Sequence, residues 1–429
     1  MEDSIITLKI ERLGIHGEGV GYWNGLTLFV PGALPDEKII AKIREKHKTY
    51  ARAELIERLT TSPHRITPAC PLFGKCGGCQ LQHLSYHEQL KTKRQLVVDA
   101  LERIGKLKDL EVLPCLSSPH PFHYRNKIQL PVSHNTLGLY AYNSHDLVEI
   151  DTCHIHCELG EEVFKALQQL LKEFPQEKLK HILIKTAVTT HQALVILVTK
   201  GKIDLMPLAK AIITSHPKIK GVVQNFHEGP ANVILGKEYR LLVGQETIEE
   251  HFCRLTFLIS PAAFFQVNPA QAETLAFKAL EWASLQGNEI VLDAYCGVGT
   301  YSLLFAKRAK KVIGIECVPQ AIENAIKNAQ INGITNAKFI CSTAEKFIPS
   351  LNEVDLVLLN PPRKGCDQNF LEKIALMRPQ TILYISCNPA TLARDLAYLS
   401  CHAYQVKKVQ PFDMFPQTSH VETLVLMKL

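Results

Sequence analysis

The sequence predicts an α/β protein of several domains, and three observations support this prediction. Residues 1–60 hold short β-like runs separated by glycines, a pattern typical of a small barrel of the OB type. Residues 61–110 contain three closely spaced cysteines and a helical pattern, and 111–255 mix β-like runs with turns and two helices, which indicates a central α+β domain. From 256 to 429 strands alternate with helices, as in a Rossmann-like, doubly wound sheet whose last two strands add an antiparallel edge.

Bulk composition narrows the functional classes. The formal net charge of +6 permits a polyanionic partner without requiring one. No apolar run approaches the roughly 20 residues that cross a bilayer. The acidic start at 1–4 lacks a signal-peptide pattern, so we expect a soluble cytoplasmic protein. In such a chain, 13 cysteines favour free thiols, metal ligands or a nucleophile over a disulfide framework.

The N-terminal segment carries the signals of a barrel with a charged rim. Strand-like runs cover 5–10, 28–32 and 39–43, and glycines between 14 and 21 mark a hairpin. Basic residues crowd the far end around Tyr50: Lys42, Arg44, Lys46, His47, Lys48 and Arg52. Such a rim can track a nucleic-acid backbone while the aromatic ring stacks on a base. A solvated charged edge explains the same residues equally well.

Three cysteines in a glycine-rich loop indicate a metal centre. Cys70, Cys76 and Cys79 follow the spacing C-x5-C-x2-C, and thiolates this close repel one another unless a metal neutralises them. Both tetrahedral zinc and a cubane iron–sulfur cluster need a fourth ligand. The candidates for that ligand are His83, which suits zinc, and the later thiols Cys115, Cys153 and Cys157. The spacing alone leaves the metal open.

The middle of the chain offers one helix and one segment suited to RNA. Residues 85–104 have an amphipathic helical pattern that Gly105 closes. Residues 122–127 are Phe-His-Tyr-Arg-Asn-Lys, a mixture that suits stacking on bases and pairing with phosphate. A surface strand is the alternative interpretation of this segment.

The first strand and turn of the C-terminal domain predict a nucleoside-binding site. The strand ending at Asp293 leads into a turn in which Gly297 and Gly299 would let a ligand approach the backbone. A dinucleotide site normally has a third glycine and a P-loop has a lysine, and this turn has neither. Glu316 ends the second strand, where an acid can accept the hydroxyls of a ribose. The combination favours S-adenosylmethionine over NAD.

Two further strands bring reactive groups toward the same edge. One apolar run ends in Asn-Pro-Pro-Arg at 360–363, a turn that fixes backbone groups beside a methyl donor. The apolar run 381–385 ends in Ser-Cys-Asn-Pro, and a helix over 392–399 with Thr391 as a possible cap follows it. Cys387 therefore lies where open α/β sheets bind ligands. A small core thiol is the alternative, and a lone cysteine is more often that.

Cys387 and Glu422 together suit methylation of a pyrimidine. Glu422 precedes the last strand, which returns it to the sheet edge. Carbon 5 of a pyrimidine is a poor nucleophile, and a thiolate that adds to carbon 6 activates carbon 5 toward a sulfonium methyl. A base must then remove the carbon 5 proton so that the thiol can leave. Another acid could act as this base, so the choice of Glu422 rests partly on a family resemblance.

Motifs spread over nearly the whole chain resemble the RNA uracil-5-methyltransferase family. The matching motifs are Phe-Phe-Gln-Val-Asn at 264–268, Asn-Pro-Pro-Arg-Lys-Gly at 360–365, Ser-Cys-Asn-Pro-Ala-Thr-Leu-Ala-Arg-Asp at 386–395 and His-Val-Glu-Thr at 420–423. The start of the chain resembles a TRAM domain, an RNA-binding barrel, through 14–21, 29–35 and 46–51. With the cysteine loop, these motifs resemble the branch that acts on bacterial 23S ribosomal RNA.

The resemblance implies a role for each candidate residue. It makes Cys387 the nucleophile and Glu422 the general base. The implied ligands of S-adenosylmethionine are Gln266, Tyr295, Glu316 and Asn360. The implied ligands of a [4Fe–4S] cluster are Cys70, Cys76, Cys79 and Cys153, with Cys157 close enough in sequence to be an alternative fourth ligand. The implied partner is 23S rRNA, contacted partly through 124–126, with no membrane and no obligate protein partner.

Two departures and two alternative functions accompany this resemblance. The family often has Asp where this chain has Asn360, which keeps hydrogen bonding without a charge. Some members have Asn where this chain has Thr300. Transfer RNA is an alternative substrate, against which the cysteine loop and the TRAM-like barrel argue. A non-catalytic rRNA-binding assembly factor is the other alternative, against which the presence of both Cys387 and Glu422 argues.

Overall fold

The computed structural model of the protein describes residues 4–229, 234–347 and 353–429. Within these ranges the strands form a closed barrel, two seven-stranded sheets and a two-stranded ribbon. The predicted fold class is therefore confirmed, with an N-terminal barrel, a central α+β region and a C-terminal Rossmann-like sheet. The domain boundaries near 60, 110 and 255 stay a prediction. None of the helices in the described ranges is both long and apolar enough to cross a membrane.

The barrel occupies the start of the chain. Its strands are β1 (Ile5–Leu13), β2 (Gly19–Trp23), β3 (Leu26–Val30), β4 (Lys38–Lys46) and β5 (Tyr50–Arg58). They close in the order β1-β2-β3-β5-β4. Buried and exposed residues alternate along most of β1, as expected for a strand with one face on a core. The Tyr50 ring stacks on His47 with 4.3 Å between ring centroids, so the aromatic and basic residues share one end of the barrel.

A cysteine loop and the helix α1 (Tyr86–Arg103) lead from the barrel to the rest of the chain. The helix lies where the amphipathic pattern predicts it. Its buried side includes Gln89 and Lys93, which are 1% and 0% exposed. Residues of these types are rarely so buried unless they are paired. Both bind a loop of the C-terminal domain, as described below.

The central region is a mixed sheet covered by two helices. Its elements are β6 (Lys127–Ser133), β7 (Thr136–Tyr140), β8 (Leu147–Glu149), α2 (Glu158–Glu173), β9 (Leu179–Ala187), β10 (Gln192–Thr199), α3 (Met206–Ser215), β11 (Ile219–Phe226) and β12 (Glu238–Gly244). The strand order is β12-β11-β10-β9-β6-β7-β8. A ribbon of β13 (Ile248–Phe252) and β14 (Leu255–Ile259) then leads to the C-terminal sheet.

The C-terminal region is a doubly wound sheet. Its elements are α4 (Pro269–Ala283), β15 (Ile290–Asp293), α5 (Thr300–Ala306), β16 (Lys311–Glu316), α6 (Pro319–Ile331), β17 (Ala337–Cys341), α7 (Ala344–Phe347), β18 (Leu356–Leu359), α8 (Gln368–Met377), β19 (Thr381–Ser386), α9 (Pro389–Ser400), β20 (Gln405–Phe412) and β21 (Glu422–Lys428). The strand order is β17-β16-β15-β18-β19-β21-β20. The first five strands are parallel and the last two antiparallel, as predicted. Strands β18 and β19 are buried along their whole length because helices cover both faces.

The start of α9 differs from the prediction. The helix begins at Pro389, and the side chain of Asn388 caps it by accepting a hydrogen bond from the Ala390 N–H. Thr391 as the cap was therefore wrong. Proline suits the first helical position because its φ is fixed and it lacks an N–H that would need a partner. The Thr391 hydroxyl donates to the Arg363 carbonyl oxygen instead, at 3.2 Å.

Candidate active site

The carboxyl ends of the parallel strands gather the predicted site residues at one edge of the sheet. They are Tyr295 after β15, Glu316 at the end of β16, Asn360 after β18 and Cys387 after β19. Glu422 begins β21, in which Thr423 pairs with Ser386, so the start of β21 meets the end of β19. Open α/β sheets bind ligands at this edge.

Cys387, Glu422 and Arg363 form one interacting group. The Cys387 thiol is partly exposed. Burial raises the pKa of Cys387, and the nearby Glu422 carboxylate raises it further. Arg363 lowers this pKa through its charge and through a hydrogen bond to the sulfur. A cation within reach of a partly exposed thiol favours the thiolate, the form that acts as a nucleophile.

Glu422 is buried beside this thiol. The residue is only 4% exposed. Burial raises the pKa of its carboxyl from 4.5 to about 8, and the Arg363 charge opposes that rise. A general base works best when its pKa is close to the working pH, and this environment moves a glutamate into that range.

The turn that carries Arg363 is held by the first turn of α9. The Asn388 side-chain amide donates to the Arg363 carbonyl oxygen at 2.9 Å, and the Thr391 hydroxyl donates to the same oxygen at 3.2 Å. These two residues follow Cys387 closely in the chain. The contacts therefore fix the guanidinium-bearing turn relative to the thiol.

Asp395 extends this network into the core. It is fully buried and accepts hydrogen bonds from the Cys366 N–H at 2.8 Å and from the Tyr384 hydroxyl at 2.6 Å. The Arg394 side chain donates to it at 2.8 Å. Sequence reasoning quoted Asp395 within a motif but gave it no role. An aspartate at an apolar helix position was the available signal, because a buried carboxylate requires partners.

The glycine turn and Glu316 lie on the other side of the edge. Gly299 has φ +87°, and a Cβ there would lie about 3.1 Å from the Phe339 ring, so this turn requires glycine. Glu316 is partly exposed, and its carboxylate accepts from the Val318 N–H at 3.0 Å. Asp293 accepts from the Ser302 hydroxyl at 2.6 Å, and burial raises its pKa to about 6. This contact fastens the end of β15 to α5.

Tyr295 and Gln266, two further predicted cofactor residues, belong to different segments of the chain. The Tyr295 ring meets Phe370 edge-on at 5.8 Å between centroids, and burial raises the pKa of its hydroxyl. Gln266 lies between β14 and α4, and its carbonyl accepts from the Asn126 side chain at 3.2 Å. The adjacent Phe265 and residues of α5 belong to the same extended core cluster.

Four thiols lie within electrostatic reach of one another. Burial, together with the charges of Cys76 and Cys70, raises the pKa of Cys79 to about 11. Burial raises the pKa of Cys153 to about 12, with Cys79 and Cys76 adding to the effect. Cys157 contacts the Thr186 hydroxyl instead, at 3.0 Å.

Thiols such as Cys70, Cys76, Cys79 and Cys153 are suitable metal ligands, but in this structure their side chains are not arranged as a preformed metal site. Among the described residues, no group of three or more His, Cys, Asp or Glu side chains stands close enough to hold a metal ion. The Gly78 N–H does donate to the Cys76 sulfur at 3.3 Å, a type of contact that stabilises ligating sulfurs. His83 packs on Phe73, and Arg65 and Glu37 are its electrostatic neighbours.

The loop between β20 and β21 leads to Glu422, and distant parts of the chain hold it. Its contacts are Lys93 with Asp413 and with the Phe415 carbonyl, Asn268 with the Met414 carbonyl, Tyr124 with the Pro416 carbonyl and Gln89 with Gln417. The His420 ring lies 3.4 Å from the Arg363 guanidinium, and burial lowers its pKa to about 4. We did not predict these contacts from the sequence.

A cleft of about 1160 Å³ runs from the barrel to this loop. Its lining includes Phe29, Tyr50 and Arg52 of the barrel, Tyr142 of the central region and His420 beside the active site. The cleft therefore joins the aromatic and basic end of the barrel to the loop that carries the candidate base.

Comparison with known proteins assigns the chain to a family. The family model for tRNA (uracil-5-)-methyltransferase matches residues 85–429, and the TRAM domain model matches residues 1–56. The chain belongs to the tRNA (uracil-5-)-methyltransferase family. The resemblance read from the sequence motifs, including the TRAM domain, is confirmed.

Relatives in this family span the full chain. An uncharacterized RNA methyltransferase from Clostridium tetani is 43% identical, covering 99% of this chain and 96% of its own length. Another from Halalkalibacterium halodurans is 40% identical, covering 100% of this chain and 98% of its own length. The solved structure of Pyrococcus abyssi tRNA (uracil-54, C5)-methyltransferase in complex with S-adenosyl-L-homocysteine has a TM-score of 0.79 at 28% identity, covering 98% of this chain and 100% of that chain.

Proposed function

We propose that this protein transfers a methyl group from S-adenosylmethionine to carbon 5 of a uridine in 23S rRNA. Membership of the family supports an RNA uracil-5-methyltransferase activity. The observation that carries the proposal is the grouping of Cys387, Glu422 and Arg363 at the carboxyl edge of the sheet. A thiol nucleophile and a base are the groups that methylation of carbon 5 requires, and the cation favours the thiolate.

Each of these residues has a step in the reaction. Arg363 stabilises the Cys387 thiolate, which adds to carbon 6 of the uracil and moves the electrons of the carbon 5–carbon 6 double bond into an enolate. Bound S-adenosylmethionine would supply a sulfonium-activated methyl. As carbon 5 bonds to that methyl, the bond between the methyl and the sulfonium sulfur would break and leave S-adenosylhomocysteine. The Glu422 carboxylate then takes the carbon 5 proton. The released electron pair restores the double bond, and the thiolate leaves carbon 6.

Four residues are proposed to hold S-adenosylmethionine: Gln266, Tyr295, Glu316 and Asn360. Glu316 suits the ribose hydroxyls because its partly exposed carboxylate ends β16. The glycine turn at Gly297 and Gly299, both with positive φ, leaves the backbone accessible. The Pyrococcus abyssi relative was solved with S-adenosyl-L-homocysteine, which supports the same ligand class here. Asn360 would contribute hydrogen bonds without charge.

We further propose that Cys70, Cys76, Cys79 and Cys153 hold a [4Fe–4S] cluster. Their mutual electrostatic contact supports this set over one with Cys157. Methyl transfer involves no net oxidation or reduction, so such a cluster would act on structure or RNA positioning. Iron and acid-labile sulfide should both be found in protein purified without oxygen. Zinc without sulfide would contradict the cluster.

The proposed substrate is 23S rRNA, and tRNA is the alternative. The cysteine loop and the TRAM domain support 23S rRNA. The family name and the Pyrococcus abyssi relative favour tRNA as the second candidate. Methylation assays on purified, unmodified 23S rRNA and tRNA should give turnover on the rRNA alone. Turnover on tRNA alone would replace the proposed substrate. A cytoplasmic location and independence from a protein partner stay predictions.

The covalent step has a direct test. RNA containing 5-fluorouridine has no removable proton at carbon 5, so the wild-type protein should stay bonded to it on a denaturing gel. Cys387→Ala should form no such adduct and should not methylate RNA. Cys401→Ala is the matched control, because Cys401 is exposed at the end of α9. Methylation by Cys387→Ala would refute the mechanism, and absence of S-adenosylmethionine binding by calorimetry would favour a non-catalytic RNA-binding factor.

A further inference from the structure

Gln417 connects the cysteine loop with the loop that leads to the candidate base. Its carbonyl oxygen accepts from the N–H groups of Gln80 at 3.0 Å and Leu81 at 2.9 Å. Gln80 directly follows Cys79, so the residue after the last thiol of the cysteine loop is hydrogen-bonded to the Gln417 carbonyl oxygen. The Gln89 side-chain amide donates to the Gln417 side-chain oxygen at 3.0 Å, and the Gln417 N–H donates to the Gln89 side-chain oxygen at 3.2 Å.

The backbone of Gln417 has an unusual conformation. Its φ is +69°, in the left-handed region that residues other than glycine rarely adopt. Such a conformation persists where the surroundings determine it, often near a functional site. Gln417 is 3% exposed, and the four hydrogen bonds above converge on it. The cysteine loop and α1 therefore determine the direction in which the chain leaves this residue.

The path from Gln417 to the base is short. The hydroxyl of Thr418 donates to the Phe415 carbonyl at 2.8 Å and accepts from the His420 N–H at 3.3 Å. Glu422 follows two residues after His420. Cys387 comes from a different segment, the end of β19, which pairs with the start of β21 through Ser386 and Thr423; the Gln417 hydrogen bonds described above go to Gln80, Leu81 and Gln89 instead.

We propose that Gln417 is a positioning residue for the general base, and that its paired hydrogen bonds with Gln89 hold Glu422 where it removes the carbon 5 proton. The inference rests on the proposed function. Its consequence is a split between two steps of the reaction. Without these contacts, the bond between the Cys387 sulfur and carbon 6 still forms. Proton transfer to Glu422 becomes slow, and the same sulfur–carbon bond is then slow to break.

The experiment compares Gln417→Ala and Gln89→Leu with the wild-type protein. The control is Gln224→Leu, which removes an equally buried amide, bonded to the Thr199 hydroxyl at 3.1 Å, from the central sheet. Turnover is measured on transcripts of 23S rRNA and tRNA, and adduct formation on the same transcripts made with 5-fluorouridine. A displacement of the base by about 1 Å lowers turnover by about 100-fold. Both test variants should therefore lose turnover to about this extent while adduct formation keeps its wild-type rate.

Two further readouts separate positioning from a general loss of structure. With ordinary uridine RNA, the test variants should accumulate a methylated covalent adduct, and the control should not. Hydrogen exchange of the amides at 417–421 should accelerate in Gln417→Ala and Gln89→Leu, with 386–395 unchanged. Wild-type turnover in both variants, or a parallel fall of turnover and adduct formation, would overturn the inference. A wild-type protein that forms no adduct with either RNA would overturn the proposed function, and this inference with it.

Discussion

Replacing Glu422 by glutamine tests whether burial keeps this carboxyl neutral. The pKa of Glu422 is raised from 4.5 to about 8, chiefly by burial. Between these values the folded protein holds a proton that the unfolded chain has released. Stability must then fall as pH rises from about 4.5 to about 8, because the unfolded state binds fewer protons than the folded one over that range.

The size of the effect follows from the pKa values. A shift of one pKa unit corresponds to about 1.4 kcal/mol. For a pKa that rises from 4.5 to about 8, this one group lowers the free energy of unfolding by about 3–4 kcal/mol between pH 5 and pH 8. Glutamine has nearly the same shape and does not titrate, so Glu422→Gln should lack this part of the pH dependence.

Urea unfolding of both proteins across this pH range measures the effect. All other titrating groups are common to both, so the difference in unfolding free energy isolates Glu422. As the pH rises from about 5 to about 8, we expect the free energy of unfolding of Glu422→Gln to increase by about 3–4 kcal/mol relative to that of the wild-type protein. Parallel profiles would refute burial as the origin of the raised pKa. A relative gain toward acidic pH would mean that the carboxylate is stabilised in its ionised form.

Three other predictions concern the core network, the thiols and the barrel. Asp395→Asn should lower the free energy of unfolding by about 1–3 kcal/mol because it disrupts buried hydrogen bonds; an unchanged thermal midpoint would contradict this. Cys153→Ser should lower the iron content of protein purified without oxygen, and Cys157→Ser should not; equal iron in both variants would exclude Cys153 as the fourth ligand. Tyr50→Ala should weaken RNA binding by about 1–3 kcal/mol through lost stacking, measured by fluorescence anisotropy at fixed salt. Tyr22→Ala is its control, because Tyr22 is an exposed barrel residue that does not line the cleft, and equal losses in the two variants would argue against the cleft.

Much of the candidate site was predictable because its residues follow buried strands. Apolar runs show where strands end, and the ends of parallel strands meet at one edge. This reasoning put Glu316, Asn360 and Cys387 at the same edge, where the structure has them. Sequence reasoning named Arg363 only as part of the turn at 360–363. Its contact with the Cys387 sulfur depends on how two turns pack, which no local pattern reveals.

The start of α9 shows a local error of sequence reasoning. Both Asn388 and Thr391 are residue types that cap helices. Proline at 389 decided between them by permitting an earlier helix start. The hydroxyl of Thr391 was then free to hold the turn of Arg363.

The contacts that hold the loop between β20 and β21 could not be predicted from the sequence. Lys93 and Asp413 are 320 positions apart in the chain, and Gln89 and Gln417 are 328 apart. No periodicity or motif spacing connects residues at such separations. Gln89 and Lys93 are polar residues of an amphipathic helix, and only the tertiary structure shows that Gln417 and Asp413 pair with them and that they are buried.

The sequence by itself determined the order of domains, the strand ends that carry the reactive groups and the family motifs, because these depend on neighbours within a few residues. The tertiary structure alone decided that Arg363 lies within reach of the Cys387 sulfur and that burial raises the pKa of Glu422 to about 8. Burial and charge–charge contact are properties of packing, and packing joins segments that the chain keeps far apart.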